Sequence, residues 1–207
     1  RADTFKIYVD TMGIAMLIPD SLDGGSTDND TCAALTFMSD TMFTCMNVYP
    51  DSILDVTLYV EDGSGNIDSC MAKVQVLDTI KPDVMLYTTL EVYLDSMGMA
   101  ILDSNAFDSA TYDCQLDSFA LSMDTFDCSF INATNDSNVT VTTYVWDSSM
   151  NLDSATSIAI IKDTIAPNVM CMDTFVYLNA MGYAVIDSSF ILDGVTDNCP
   201  STLTYSI

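Results

Sequence analysis

Aspartate is the residue through which this sequence could do chemistry: 28 of its 207 residues are Asp, against two Glu, four Lys, one Arg and no His, for a formal net charge of −25. Carboxylates grouped on short turns are ligands for hard cations, which take roughly six to eight oxygens and draw the remainder from backbone carbonyls. Three groups have that spacing. Asp62, Asn66 and Asp68 surround one glycine-rich turn, Asp147, Asn151 and Asp153 repeat them further on, and Asp28, Asn29 and Asp30 form a third oxygen-rich loop. Calcium is the cation they suit. None matches the EF-hand loop, and Asp favours turns through its own side-chain hydrogen bonds, so plain turn chemistry is the competing reading.

Other chemistry is poorly supplied. Without His no imidazole is present to activate a nucleophile, and among 30 acids proximity in sequence does not identify a catalytic carboxylate pair. The charge repels phosphate backbones, so nucleic acid is not expected as a partner. No apolar run approaches the roughly 18 residues of a membrane span, and no direct membrane insertion is expected of this segment. Arg1-Ala2-Asp3-Thr4-Phe5 reads as chain entering a strand directly, as a fragment of a longer protein would. The expectation is a protein that is not an enzyme and requires no cofactor.

The elements that position these groups recur. Tyr8-Val9-Asp10-Thr11-Met12-Gly13 returns as Tyr93-Leu94-Asp95-Ser96-Met97-Gly98 and again as Tyr177-Leu178-Asn179-Ala180-Met181-Gly182. Asp78-Thr79-Ile80-Lys81-Pro82 returns as Asp163-Thr164-Ile165-Ala166-Pro167. Each match falls at a shift of about 85 residues, which suits an immunoglobulin-sized sandwich and is too long for a solenoid turn. The division is 1–79, 80–164 and 165–207, the last being the first half of a third copy.

Within a copy the pattern is β. Val56, Leu58 and Val60 alternate with Thr57, Tyr59 and Glu61, and Val74 and Val76 alternate with Lys73 and Gln75, with a hairpin turn at 62–66 between the two runs. A second hairpin is centred on each Met-Gly, where Met12, Met97 and Met181 are expected to share a packing role. The fold class is all-β: tandem Ig-like antiparallel sandwich repeats in a rod-like array, joined by the short proline-bearing Asp-Thr-Ile-x-Pro element, which is stiff. Trp146 is read as a packing residue.

Of seven cysteines, Cys32 and Cys45 are equivalent to Cys114 and Cys128, each pair enclosing about a dozen residues. The recurrence predicts one disulfide per repeat, with buried free thiols as the alternative. Cys199 stands in the first position of a third pair whose partner would lie beyond Ile207. Cys70 and Cys171 have no equivalents and their state is open. Disulfides belong to oxidising compartments, so the protein is expected to be secreted, at the cell surface.

Ser26-Thr27-Asp28-Asn29, Thr196-Asp197-Asn198-Cys199, the turn from Asp62 to Asn66 and Asp163-Thr164-Ile165-Ala166-Pro167 resemble the hyalin-repeat-like (HYR-like) modules of large Bacteroidetes surface proteins, gliding-motility adhesins included. The second copy departs from that pattern: the residues before Cys114 lack the Asp-Asn, and 147–151 lacks the glycines. The resemblance implies an Ig-like fold, export across the outer membrane, and a role as spacer, filament or adhesin. An Asp-Ser/Thr excess fits the same source. Nineteen of the 28 Asp are followed by Ser or Thr, where composition alone predicts about six, and nine of these continue with Ala, Ile, Leu, Val, Met or Thr. That tripeptide is similar to the O-glycosylation signal of Bacteroidetes exported proteins, and it marks Thr11, Ser21, Thr41, Ser52, Thr79, Ser96, Ser109, Ser154 and Thr164. Turn-forming by Asp-Ser/Thr is the alternative, but Asn179-Ala180-Met181-Gly182 makes the same turn without a hydroxyl. The four Asn-x-Ser/Thr sequons, at Asn29, Asn132, Asn135 and Asn138, are expected by chance.

The function expected is a structural stalk or filament segment, O-glycosylated, that extends an adhesin. The alternative is a module that itself binds polysaccharide or a partner cell, with calcium or without. The partners expected are neighbouring repeats, and like chains if a fibre forms.

Overall fold

Alternating Val, Ile, Leu and Phe with polar residues gives strands that each bury one face, and such strands must pair into sheets that share a core. The computed structural model describes residues 4–29, 34–48, 53–131, 137–199 and 204. Among them the regular elements are strands and single 3-10 turns, the all-β class expected. The chain divides into two compact units: residues 1–85, 108–120 and 144–155 form the first, and residues 86–107, 121–143 and 156–207 the second.

The first unit begins with β1 (Phe5–Tyr8), β2 (Ile14–Met16), β3 (Thr36–Met38), β4 (Met42–Thr44), β5 (Leu54–Glu61) and β6 (Ile67–Leu77). Four of these make a sheet in the order β1-β6-β5-β3, with β1 parallel to β6 and the other pairs antiparallel; β2 and β4 make a second, two-stranded sheet. Ile7, Ala15, Phe43, Val56, Val74 and Val76, drawn from both sheets, form one buried cluster with Val9, Leu17 and Val48. Each of the Val, Leu, Ile and Phe side chains contributes about 1.5–3 kcal/mol relative to exposure.

The same plan follows in β7 (Thr89–Tyr93), β8 (Met99–Ile101), β9 (Leu116–Leu121), β10 (Thr125–Asp127), β11 (Ser137–Asp147) and β12 (Leu152–Lys162). Their sheets are β7-β12-β11-β9 and β10-β8, with β7 parallel to β12. In the second unit Val92, Leu94, Phe107, Phe126, Val141, Ala159 and Ile161 close the core, with the sulfur-bearing Cys199 packed among them. The third copy supplies β13 (Asn168–Cys171) paired with β14 (Leu192–Thr196). Its Leu178 and Ile186, at positions where the earlier copies bury Val9, Leu94 and Leu17, are exposed.

The turns are built by side chains. Asp10 Oδ1 accepts from the backbone N–H groups of Met12 and Ile14, Asp95 Oδ1 from Met97 and Met99, and Asn179 Oδ1 from Met181 and Tyr183. The glycine that follows has φ of 72°, 73° and 82° in the three copies. The methionines do not pack as expected: Met12, Met97 and Met181 are 71–80% exposed, because the turn points them away from the core. At the other hairpin, Asp62 accepts from Ser64 N, Asn66 N and Asn66 Nδ2, and Asp147 accepts from Ser149 N, Asn151 N and Asn151 Nδ2. Losing both glycines has not changed that turn; Met150 takes the left-handed conformation, φ 67°, that Gly65 takes at 84°.

Candidate functional site

Two features hold chemistry beyond the sheets. The first is the pairing of the cysteines, and it corrects the expectation. The bonds are Cys45–Cys114 and Cys128–Cys199, with Cα–Cα distances of 5.3 and 5.4 Å and sequence separations of 69 and 71. The second cysteine of one copy is bonded to the first cysteine of the next, so Cys114 and Cys128 are not each other's partners, and Cys45 is not bonded to Cys32. Cys32 itself lies outside the described residues. The cause is packing: Cys114 lies against the first unit's core, whereas Cys128 lies against the second unit's. Two cysteines a dozen residues apart are thereby committed to different cores. Closing loops this long stabilises the folded chain by about 4 kcal/mol each in the chain-entropy model. Cys70 and Cys171 are free and exposed.

The second feature is a cluster of carboxylates in the first unit. Asp78 follows β6, Asp113 precedes Cys114, and Asp147 ends β11 as the anchor of its hairpin; one oxygen from each lies within 4.8 Å of the other two. Asp147 is 2% and Asp78 8% exposed. Asp113 Oδ2 is buried without a hydrogen-bond partner, while its Oδ1 accepts from the Cys114 backbone N–H at 2.5 Å. Burial holds the Asp78 carboxyl above the ordinary range, and the charge of Asp147 adds to it. Asp113 is raised likewise, by burial first and then by the charges of Asp78 and Asp147. Three anions at this distance resist ionising together; they call for protons or for a cation among them. A cleft of about 380 Å³ opens beside them, with Asp10, Thr11, Lys81 and Asp153 on its walls.

The second unit carries a variant of this arrangement. Asp163 stands where Asp78 does and Asn198 where Asp113 does. The Asn198 Nδ2 donates to Asp163 Oδ1 at 3.0 Å and to the Asp95 carbonyl at 3.1 Å, and its Oδ1 is buried without a partner. An amide in place of a carboxylate relieves the repulsion with a hydrogen bond.

The oxygen groups expected from sequence are distributed differently. Asp28, Asp62, Asn66 and Asp68 do line one cleft, of about 520 Å³. Asn66 and Asn151, however, turn their amide nitrogens onto Asp62 and Asp147 and so act as turn donors. Hydrogen bonds from Asn66 hold the Asp62 carboxyl below the ordinary range. Among the described residues the acids whose oxygens converge are Asp78, Asp113 and Asp147, of which sequence reasoning had named only Asp147. Asn29 is exposed, Asp153 half-buried, and Asp30 lies outside the described residues. Of the glycosylation candidates, Thr11, Ser21, Thr41, Thr79, Ser96, Ser109, Ser154 and Thr164 are all exposed, and Ser52 lies outside the described residues. Trp146 is half-buried beside Tyr144, ring centroids 6.2 Å apart.

No protein-family model matches the chain, and no curated protein matches it in sequence. Among solved structures it is similar to protocadherin gamma B7 extracellular cadherin domains 1–4, at 11% identity and a TM-score of 0.39, over 80% of this chain and 51% of that one. Human mucin-like protocadherin EC1-2 matches at 15% and 0.39, over 79% of this chain and 96% of that one. The protocadherin gamma B4 extracellular domain matches at 11% and 0.40, over 94% and 38%. The chain thus spans about half or less of two of these three proteins. With its paired sheets and two cystines, it is an all-β chain of sandwich-like sheets.

Proposed function

We propose that the chain is a structural segment of an exported surface protein, a glycosylated stalk whose output is reach, and that it serves to present an adhesive region. The observation that carries this is the register of the cystines, which bond each copy of the repeat to the following one and so suit an array in which every copy is a link. Surface chemistry supports the same reading. Tyr8 and Tyr93 recur at one position and are both about half exposed, so the two copies present like faces, as spacers do and a specialised tip does not.

O-glycans belong to this reading. In the Asp10 and Asp95 hairpins the acid's side chain closes the turn, and Asn179 closes it where Ala180 follows. The hydroxyls of Thr11 and Ser96 are therefore not needed for the turn and stand exposed beside an Asp, as a modification signal requires. Sugars there would hydrate the chain and blunt open sheet edges.

A divalent cation fits Asp78, Asp113 and Asp147. The orphaned Asp113 Oδ2 and the all-oxygen donor set suit calcium, which would supply the missing positive charge and lock the joint, the β11–β12 hairpin and the Cys114 loop together.

Scattering on chains of two, three and four copies tests the stalk. A maximum dimension that grows in proportion to copy number at constant cross-section is expected; growth as a compact globule or a coil would sink the reading. Intact mass of the native protein tests the glycans, as sugar increments on Ser and Thr.

A further inference from the structure

We infer that the two cystines turn the stretch from Cys45 to Cys199 into two closed covalent rings joined by one short bridge, so that neither unfolding nor a cut inside a ring can lengthen that stretch beyond the bridge or sever it. The bonds Cys45–Cys114 and Cys128–Cys199 enclose stretches with sequence separations of 69 and 71. A pull on the chain passes through the first bond, along the backbone from Cys114 to Cys128, and out through the second. Everything else between Cys45 and Cys199 is slack held in the rings.

The lengths decide the consequence. At up to about 3.5 Å per extended residue, an unbonded chain from Cys45 to Cys199 would pull out to about 540 Å. With the bonds in place the bridge of about fourteen residues gives roughly 50 Å, and the cystine spans bring the total to about 60 Å. Complete loss of the sheets therefore cannot carry Cys199 more than about 60 Å from Cys45, and only residues 1–44 and 200–207, outside the rings, are free to extend. Stacked single-copy disulfides, Cys32–Cys45 and Cys114–Cys128, would leave most of the chain extensible.

The lysines fall on the same map. Lys73 and Lys81 lie in the first ring and Lys162 in the second, and the bridge from Gln115 to Asp127 contains no Lys or Arg. Hydrolysis at any of these lysines adds one water across a peptide bond and leaves both new ends tied through sulfur. The inference shares the cystine register with the proposed stalk but concerns the covalent path alone, not what the array presents.

Trypsin reads this out. The protein, its free thiols first alkylated without reductant, is unfolded in urea and digested; Lys81 precedes Pro82 and resists cleavage, so cuts fall after Arg1, Lys6, Lys73 and Lys162. Residues 7–207 should stay together as one species, heavier by one water per cut, and separate into 7–73, 74–162 and 163–207 on reduction, the reduced sample also certifying that the cuts were made. Release of 7–73 or 163–207 without reductant would overturn the inference, whereas Cys45→Ala should release 7–73 alone. Stretching single molecules through handles placed just before Cys45 and just after Cys199 gives a second readout: a gain of hundreds of ångströms before reductant is added would also refute it. A chain that separates here but scatters as a rod loses this inference and keeps the stalk; one that holds together but scatters as a coil does the reverse.

Discussion

Gly13 lies directly against the Cys45 sulfur: a Cβ placed on it would stand 2.3 Å from Sγ. Gly98 has the same relation to Cys128, with a Cβ 2.6 Å from Sγ and 2.6 Å from the Asn198 carbonyl oxygen. The glycine of each Met-Gly hairpin is what allows a cystine to settle there. Gly13→Ala and Gly98→Ala should each cost about 2–4 kcal/mol, from the left-handed backbone and the overpacking together. Gly182, with φ 82° and open space around it, should lose only about 1–2 kcal/mol, the backbone part alone. Urea unfolding of the three variants checks the order.

Asp78 and Asp113 make stability depend on pH in a stated direction. Both carboxyls are raised by burial, so the folded state holds their protons more tightly than the unfolded state does. Their contribution is complete below the unfolded value of about 3.9 and is lost as pH rises through the folded values. Asp113→Asn, which installs the amide found at Asn198, should flatten this loss and stabilise the metal-free protein at neutral pH. Unfolding midpoints measured in chelator across the acid-to-neutral range give the comparison. A variant as pH-sensitive as the parent would refute it.

Calcium should act on the same three residues. Added to the parent at neutral pH it should raise the melting temperature, by mass action on the folded state, and the rise should vanish in Asp113→Asn and in Asp147→Asn. Equal shifts in parent and variants would place any binding elsewhere.

Met150 is a non-glycine residue in the left-handed region and 87% exposed, with no packing to justify its side chain there. Met150→Gly should therefore stabilise the β11–β12 hairpin by about 0.5–1 kcal/mol, as Gly65 does in the first copy. A thermal melt that moves downward would contradict this.

Thr11→Ala and Ser96→Ala separate turn formation from modification. Since Asp10 and Asp95 close those turns, stability should stay within about 0.5 kcal/mol of the parent. Mass spectrometry of the native protein should show one sugar increment fewer for each.

Much of the fold is legible in the residues. Alternation in Val56–Val60 and Val74–Val76 gives β5 and β6, and Asp62 to Asn66 gives their turn. The repeat gives β7 to β12 by analogy, even where Met150 replaces a glycine. The cystine partners are not legible, because a dozen intervening residues suggests local closure and only the two cores reveal that Cys114 and Cys128 face different ones. The near-equal separations of Cys45 from Cys114 and Cys128 from Cys199 were the available signal, one of several pairings the count allows. The acid cluster is hidden for a related reason. Asp78, Asp113 and Asp147 come from a joint, a loop and a hairpin more than thirty residues apart, and no short motif spans them.

The third copy's hairpin forms its full set of bonds, Asn179 N–H to the Tyr183 carbonyl at 2.8 Å and Gly182 N–H to Asn179 at 2.9 Å, with Leu178 and Ile186 still open to water. Every one of these bonds, with those that Asn179 Oδ1 accepts from Met181 and Tyr183, runs between residues 179 and 183. The corner is therefore written within five residues of sequence, and it can be carried from one copy to the next as a unit whatever surrounds it.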